Sequence, residues 1–158
     1  MVLVSSRQRL VWLPLRSIRR QMEVLLECSG YAGWDVGVHF VDDGRIHELN
    51  RQYRGKDRAT DILSFPFHEA AEPEAFAAHA HCEDMRNLGD MFLAAPYIAR
   101  HCRAAGESLA AHMPVLLAHG LCHLMGYDHE LDADYARMAP RESEILRRLR
   151  ARPGGAAI

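Results

Sequence analysis

The segment from residue 119 to residue 129 constrains the fold of this chain more than any other part of its sequence. It contains His119, His123 and His129, with Gly126 between the second and third histidine. Residues four apart lie on one face of an α-helix, so the first two imidazoles can point at a single ion. Gly126 can adopt a positive φ, which ends the helix and turns the chain back. The pattern therefore predicts a helix, a tight return, and a third histidine beside the first two.

These three imidazoles indicate a zinc site. Neutral imidazole is a common zinc ligand, and three protein ligands leave the fourth tetrahedral position for water or substrate. This arrangement is typical of catalytic sites, whereas four protein ligands close a structural site. We expect one Zn²⁺ per chain, held by His119, His123 and His129, and we also assign His119 to the catalytic residues.

One other enzyme class uses the same spacing. Metzincin peptidases carry two helical histidines, a glycine and a third histidine, with a glutamate directly after the first histidine as general base. This chain has Gly120 at that position. Because the proton acceptor is missing, a metzincin-like metallopeptidase is the less favoured alternative.

Two further segments accompany the histidines. Residues 49–67 read Leu-Asn-x-x-Tyr-Arg-x-x-Asp-x-x-Thr-Asp-x-Leu-Ser-Phe-Pro-Phe, and residues 88–93 read Leu-Gly-Asp-Met-Phe-Leu. Together with His-Gly-x-x-His-Leu-x-Gly-Tyr-Asp-His at 119–129, they resemble the YbeY family of metal-dependent endoribonucleases, most nearly its eukaryotic organellar members. The resemblance runs from about residue 30 to residue 130. Cys122 departs from the leucine expected there and should serve packing, not metal binding.

The resemblance implies a zinc-dependent, single-strand-specific endoribonuclease in ribosomal RNA processing and ribosome quality control. Its substrate would be single-stranded ribosomal RNA, and a small-subunit ribosomal protein is an expected partner. The alternative from another class is a ribosome-assembly factor whose zinc is chiefly structural. Because the net charge is only −2, the chain has no broad basic surface of the kind typical of nucleic-acid binders.

Arg54 is the candidate phosphate-binding residue. It matches an arginine that the family requires for RNA cleavage, and a guanidinium offers two parallel donors to the charge that builds on a phosphate. From the residues alone, a solvated side chain paired with Asp57 or Asp61 is the favoured interpretation of Arg54. A role for Arg54 in RNA cleavage is therefore implied only by the resemblance.

Four other polar residues belong to the matching segments. Asp61 and Ser64 are expected to satisfy backbone groups at strand ends. Asp90 is a candidate acceptor for the second ring N–H of a ligand histidine. Asp128 can hold the turn before His129 through an Asx turn.

Charge and cysteine usage bear on location. The first 22 residues carry five arginines and no acid, which is typical of an organellar targeting sequence. Their hydrophobic pattern also predicts an edge strand and the start of a helix. No apolar run approaches the length of a membrane helix. The cysteines form no Cys-x-x-Cys pair, which favours a reducing interior. We expect an intracellular protein, in the mitochondrion in preference to the cytoplasm, with an oligomeric state that the sequence leaves open.

The hydrophobic pattern predicts an α+β fold, with a small mixed sheet of about four strands and about five helices. Residues 1–150 should form one domain, followed by a flexible tail at 151–158. We expect Tyr53 to be buried with Ile46 and Leu49, Pro114 to kink a helix or mark its first turn, and Pro140 to bend or split the last helix. Strands are predicted at 1–4, 34–41, 61–65 and 88–93, helices at 14–29, 43–54, 97–105, 109–125 and 132–149, and a long loop at 67–87.

Overall fold

A four-stranded mixed sheet lies at the centre of the computed structural model, which describes residues 1–69 and 71–153. The strands are β1 (Val2–Ser6), β2 (Asp35–Val41), β3 (Ile62–Pro66) and β4 (Asn87–Ala94). The helices are α1 (Leu15–Ser29), α2 (Asp43–Arg54), α3 (Ala95–Ala105), α4 (Leu109–Leu124) and α5 (Asp132–Ala151). The predicted α+β class is confirmed.

The strand order is β1-β2-β4-β3. The pairs β1·β2 and β2·β4 are parallel, and β3 runs antiparallel to β4 at one edge of the sheet. β1, α1 and β2 form one parallel crossover unit, an alternation that the sequence pattern does not indicate. Because β4 inserts between β2 and β3, the last strand in the chain joins the N-terminal strands to the edge strand.

β4 contains a bulge at its start. Asp35 is paired with Asn87 but Val36 is paired with Gly89, so β4 carries one extra residue there. Gly89 has φ +116°, and a Cβ on it would lie 2.2 Å from the Phe65 carbonyl oxygen. Only glycine fits this close approach of β4 to β3.

The two faces of the sheet are covered differently. The larger core lies between the sheet and α1, α4 and α5, and its fully buried side chains include Met22, Leu25, Phe40 and Leu117. α2 covers part of the other face through a smaller cluster formed by Val41, Ile46, Leu49, Leu63 and Ala94. The histidine-bearing helix α4 therefore belongs to the larger core.

Tyr53 is not buried, contrary to the prediction. It is 60% exposed, whereas Asn50 is buried at 1% and donates a hydrogen bond to the Arg58 carbonyl over 2.9 Å. Ile46, Leu49 and Asn50 are spaced by three and four residues, so the buried stripe of α2 ends one turn before Tyr53. Tyr53 instead packs edge-on against the ring of Phe65, with centroids 5.2 Å apart.

Neither internal proline interrupts its helix. α4 begins at Leu109, where the Ser108 hydroxyl accepts a hydrogen bond from the Ala111 N–H over 2.9 Å, so Pro114 does not mark the first turn. α5 runs past Pro140 without being split. Met138, Ile145 and Leu149 are buried on both sides of this proline, which keeps both halves of α5 on the core.

The predicted loop at 67–87 contains two short 3-10 helices, at Ala75–His79 and Glu83–Met85. Ala151, predicted as the first residue of the tail, is the last residue of α5. Residues 154–158 of the predicted tail lie outside the described residues. Among the residues described, no helix is long and apolar enough to cross a membrane.

Replacing Gly89 with alanine should lower the free energy of unfolding by about 2–5 kcal/mol, because the new Cβ adds backbone strain and a clash with β3. Gly33→Ala is the matched control, since Gly33 also has a positive φ but open space around it. It should cost only about 1–2 kcal/mol. Urea denaturation of the two variants measures the difference, and equal losses would contradict the close approach at Gly89.

Candidate active site

The structure brings the three predicted histidines together. His119 and His123 lie one turn apart near the end of α4, Gly126 follows with φ +100°, and His129 returns toward them. One ligand atom from each imidazole lies within 4.8 Å of the others. The ring centroids are 4.8 Å to 5.3 Å apart. The glycine turn therefore closes the cluster as the sequence predicts.

Hydrogen bonds fix which nitrogen faces the centre of this cluster. The Nδ1 of His123 donates to the Tyr127 carbonyl over 3.0 Å, and the Nδ1 of His119 donates to the Glu142 carboxylate over 3.3 Å. With neutral rings, each Nε2 then carries a lone pair, and the two Nε2 atoms are 3.2 Å apart. Facing lone pairs repel unless a cation lies between them. Ligands 2.0–2.1 Å from a tetrahedral ion are separated by about 3.3 Å, so these residues fit such an ion.

The pKa of His123 supports the ligand form. Burial, followed by the neighbouring His119 and His129, lowers the pKa of His123 to about 4. His123 is therefore neutral at neutral pH, which is the protonation state that binds a metal ion.

The residues that hold the ligand loop, residues 125–129, have no recognisable signal in the sequence. Glu74 accepts hydrogen bonds from the Tyr127 hydroxyl over 2.5 Å, the Tyr31 hydroxyl over 2.9 Å and Arg141 over 3.0 Å. Its backbone N–H donates to the Met125 carbonyl over 2.8 Å, so the acidic loop is attached to the end of α4. Glu74 is one of five acids between residues 69 and 84, and no local pattern distinguishes it from the others.

Glu142 was missed for the same reason. It lies on α5, 23 residues after His119, and the two side chains meet only because α5 packs against α4. A carboxylate behind a ligand histidine orients the ring and raises its basicity. The expected acceptor, Asp90, instead lies 2.8 Å from the Nε2 of His39.

Arg54 pairs with the residue that follows the third histidine. It is the last residue of α2, and its guanidinium is 3.9 Å from the carboxylate of Glu130, the neighbour of His129. Neither expected partner pairs with Arg54. Asp57 pairs with His47 over 2.7 Å, and Asp61 accepts the Ile62 N–H over 2.8 Å. The tertiary structure thus places a loosely paired cation next to the loop that carries His129.

The remaining polar residues have structural contacts. Asp61 satisfies a backbone group at the start of β3, as expected. The Ser64 hydroxyl donates to the Gly120 carbonyl over 3.4 Å, which joins β3 to α4. Asp128 accepts the N–H of His129 over 2.7 Å, a local contact one residue along the chain.

Gly120 faces the core and not the histidine cluster. A Cβ at this position would lie 2.8 Å from the Cδ1 of Ile62 and 3.1 Å from the Sδ of Met91. A metzincin-like glutamate at this position would be driven into the contact between α4 and the sheet. The packing of α4 therefore argues against the peptidase alternative.

Acidification should destabilise the metal-free protein through His123. Its folded pKa is about 4 and its unfolded pKa is about 6.5, so the unfolded chain binds the proton better between these values. Stability is fully present above about pH 6.5 and is lost as the pH falls toward 4. Urea denaturation with chelator should show this slope, and His123→Gln should reduce it. An unchanged slope in the variant would contradict the assignment.

Comparison with known proteins identifies the family. The family described as Endoribonuclease YbeY matches residues 8–150. A human protein named Endoribonuclease YbeY is 33% identical over 153 residues, covering 97% of this chain and 90% of the human protein. A protein of the same name from Desulforamulus reducens is 41% identical over 137 residues, covering 85% of this chain and 86% of the Desulforamulus protein.

A solved structure supports the fold. The solution structure of a Thermotoga maritima protein matches with a TM-score of 0.55 and 22% identity, over 97% of this chain and 94% of that one. The family match covers all three sequence segments and the histidine cluster. The chain therefore belongs to the YbeY endoribonuclease family.

Proposed function

We propose that this protein is a zinc-dependent, single-strand-specific endoribonuclease that acts in ribosomal RNA processing and ribosome quality control. His119, His123 and His129 would hold one Zn²⁺, and Arg54 would bind the scissile phosphate. One observation carries the proposal: two Nε2 atoms face each other 3.2 Å apart, and Arg54 pairs with Glu130, the residue next to the third histidine.

When bound by the three imidazoles, Zn²⁺ would supply a Lewis acid and lower the pKa of a bound water. The rest of the chemistry depends on the chain's own side chains. The carboxylate of Glu142 stabilises the orientation of His119, and the Tyr127 carbonyl does the same for His123. Both contacts keep the imidazole Nε2 atoms directed at one point.

Arg54 is suited to receive a phosphate. Its side chain is 38% exposed and that of Glu130 is 67% exposed, so their pairing at 3.9 Å contributes little stability. A phosphate offers two acceptor oxygens to the guanidinium and can displace Glu130. Arg54 would then hold the phosphate and stabilise the charge that develops on it during cleavage.

The preference for single strands is supported by Tyr53. It precedes Arg54, is 60% exposed, and rests edge-on against Phe65. Exposed aromatic rings bind unpaired bases by stacking, which a base inside a duplex cannot do. We propose that Tyr53 stacks on a base next to the phosphate that Arg54 holds.

Metal content and RNA cleavage, measured on the same purified protein, test this function. The histidine cluster should hold one zinc, and the protein should cut a single-stranded ribosomal RNA fragment but not the corresponding duplex. Chelator should abolish cleavage, and His119→Ala with His123→Ala should remove both this zinc and the activity. Zinc and RNA binding without cleavage would favour the assembly-factor alternative, and chelator-sensitive cleavage of casein would favour a peptidase.

Arg54→Lys separates a phosphate-binding arginine from a solvated one. Because lysine provides a point charge without the bidentate fork, cleavage should fall on the order of 10²–10³-fold. Metal content and melting temperature should not change. Arg51→Lys, an exposed position on the same helix, is the matched control and should stay close to wild type. Activity of Arg54→Lys within about threefold of wild type, at fixed salt, would remove Arg54 from the site.

We also propose a mitochondrial location and a small-subunit ribosomal protein as partner. The first 22 residues, rich in arginine and free of acids, support a mitochondrial targeting sequence. β1 and much of α1 fall within this segment, and Val2, Ile18 and Met22 are buried in the core. A targeting sequence in this segment would therefore have to stay attached to the protein after import. Import of the intact chain into isolated mitochondria, without a change in its length, tests this proposal.

A further inference from the structure

A second group of metal-ligating side chains lies at the corner between α3 and α4. The thiol of Cys102, the carboxylate of Glu107 and a ring nitrogen of His112 all lie within 4.8 Å of one another. Cys102 is in the last turn of α3, Glu107 is in the connecting turn, and His112 is in the first turns of α4. None of the three belongs to the histidine cluster near residue 123.

The backbone holds these three residues in place. Gly106 ends α3 with φ +69°, and the Glu107 N–H donates to the Cys102 carbonyl over 2.9 Å. The Ser108 hydroxyl then caps α4, and the His112 N–H donates to the Ser108 carbonyl over 3.1 Å. The α3–α4 corner is thus fixed by a helix C-cap and an N-cap, so no rearrangement of the main chain is needed to bring the donors together.

The distances fit a small transition-metal ion. The Nδ1 of His112 is 3.3 Å from a carboxylate oxygen of Glu107. Nitrogen and oxygen ligands at 2.0–2.2 Å from a tetrahedral Zn²⁺ are separated by about 3.3–3.5 Å. Cys102 adds a sulfur ligand, and the combination of sulfur, nitrogen and oxygen donors suits Zn²⁺ better than Mg²⁺ or Ca²⁺.

A cavity adjoins the cluster. Its volume is about 330 Å³, and its walls include all three side chains together with Asp61, Tyr97 and His101. The cavity is large enough for a hydrated ion and provides further oxygen and nitrogen donors around it. Cys102 is 4% exposed, whereas the side chains of His112 and Glu107 are 32% and 56% exposed. An ion can therefore enter from the Glu107 side and meet the thiol at the inner end.

We propose that Cys102, Glu107 and His112 form a second zinc site that joins α3 to α4. Binding replaces the thiol proton, which is released to solvent, and forms a bond between the metal ion and the sulfur. The site is independent of the histidine cluster, so either one can fail without the other. Its effect would be to clamp the first turns of the helix that carries His119 and His123.

The competing interpretations are a plain His112–Glu107 ion pair and a reactive cysteine. Burial and the nearby Glu107 raise the pKa of the Cys102 thiol, which disfavours a free nucleophilic thiolate. An ion pair requires no sulfur beside it, and it would be indifferent to Cys102. Dependence of metal binding on the thiol therefore separates the metal site from both alternatives.

Cobalt is the most direct probe, because thiolate bound to Co²⁺ gives a near-ultraviolet charge-transfer band that imidazole ligands do not. The His119→Ala, His123→Ala double variant is titrated with Co²⁺, and the band should reach a plateau at one equivalent and disappear when Zn²⁺ is added. Adding Cys102→Ala should abolish it. Cys28→Ala is the matched control, since Cys28 is a buried cysteine in the last turn of α1, and it should keep the band.

Two further variants test the site without altering a buried residue, in case Cys102→Ala prevents folding. Glu107→Gln and His112→Gln alter exposed or half-exposed side chains, and each should weaken Zn²⁺ binding in the same background. Wild type should hold two zinc ions per chain, and the His119→Ala, His123→Ala variant should hold one. Adding Zn²⁺ to the metal-free double variant should raise its melting temperature. The proposal is overturned if the His119→Ala, His123→Ala variant binds no zinc, if the cobalt band is absent, or if the band survives Cys102→Ala.

Discussion

The close contact between α4 and the sheet at Gly120 is the constraint on which the site depends. Without a side chain at this position, the helix approaches Ile62 on β3 and Met91 on β4. The Ser64 hydroxyl reinforces the approach by donating to the Gly120 carbonyl. Because His119 precedes this glycine, the same contact sets the position of the first imidazole relative to the sheet edge.

The position of Arg54 follows from that arrangement. α2 covers the opposite face of the sheet and ends at the edge formed by β3, so its last residue comes close to the loop that carries His129. The imidazoles and the guanidinium are thus supplied from two sides of one edge strand. The antiparallel pairing of β3 with β4 puts β3 at the sheet edge, where it contacts α4 on one face and α2 on the other.

A partly buried polar network holds the loop that follows α4. Glu74 connects Tyr127 in the ligand loop to Tyr31 after α1 and to Arg141 on α5. Arg141 also donates to the Ser29 carbonyl over 2.5 Å. Such networks are strong only when each member keeps its partners, because an unpaired polar group in a low-dielectric interior is costly. The acidic loop is therefore a structural support of the histidine cluster. α4 links this support to the α3–α4 corner, because His119 lies seven positions after His112, about 10 Å along the helix axis.

The sequence by itself determined the local features: the helix that carries two histidines four apart, the glycine that ends it, and the α+β class. These follow from periodicity and from the conformational preferences of single residues, which act over a few positions. Only the tertiary structure decided the strand order, the exposure of Tyr53, the pairing of Arg54 with Glu130, and the use of Glu142 and Glu74 behind the ligands. Glu142 lies 23 residues from His119, and Glu74 lies 53 residues from Tyr127. Contacts over such distances arise from the packing of whole elements, and no spacing in the sequence encodes them.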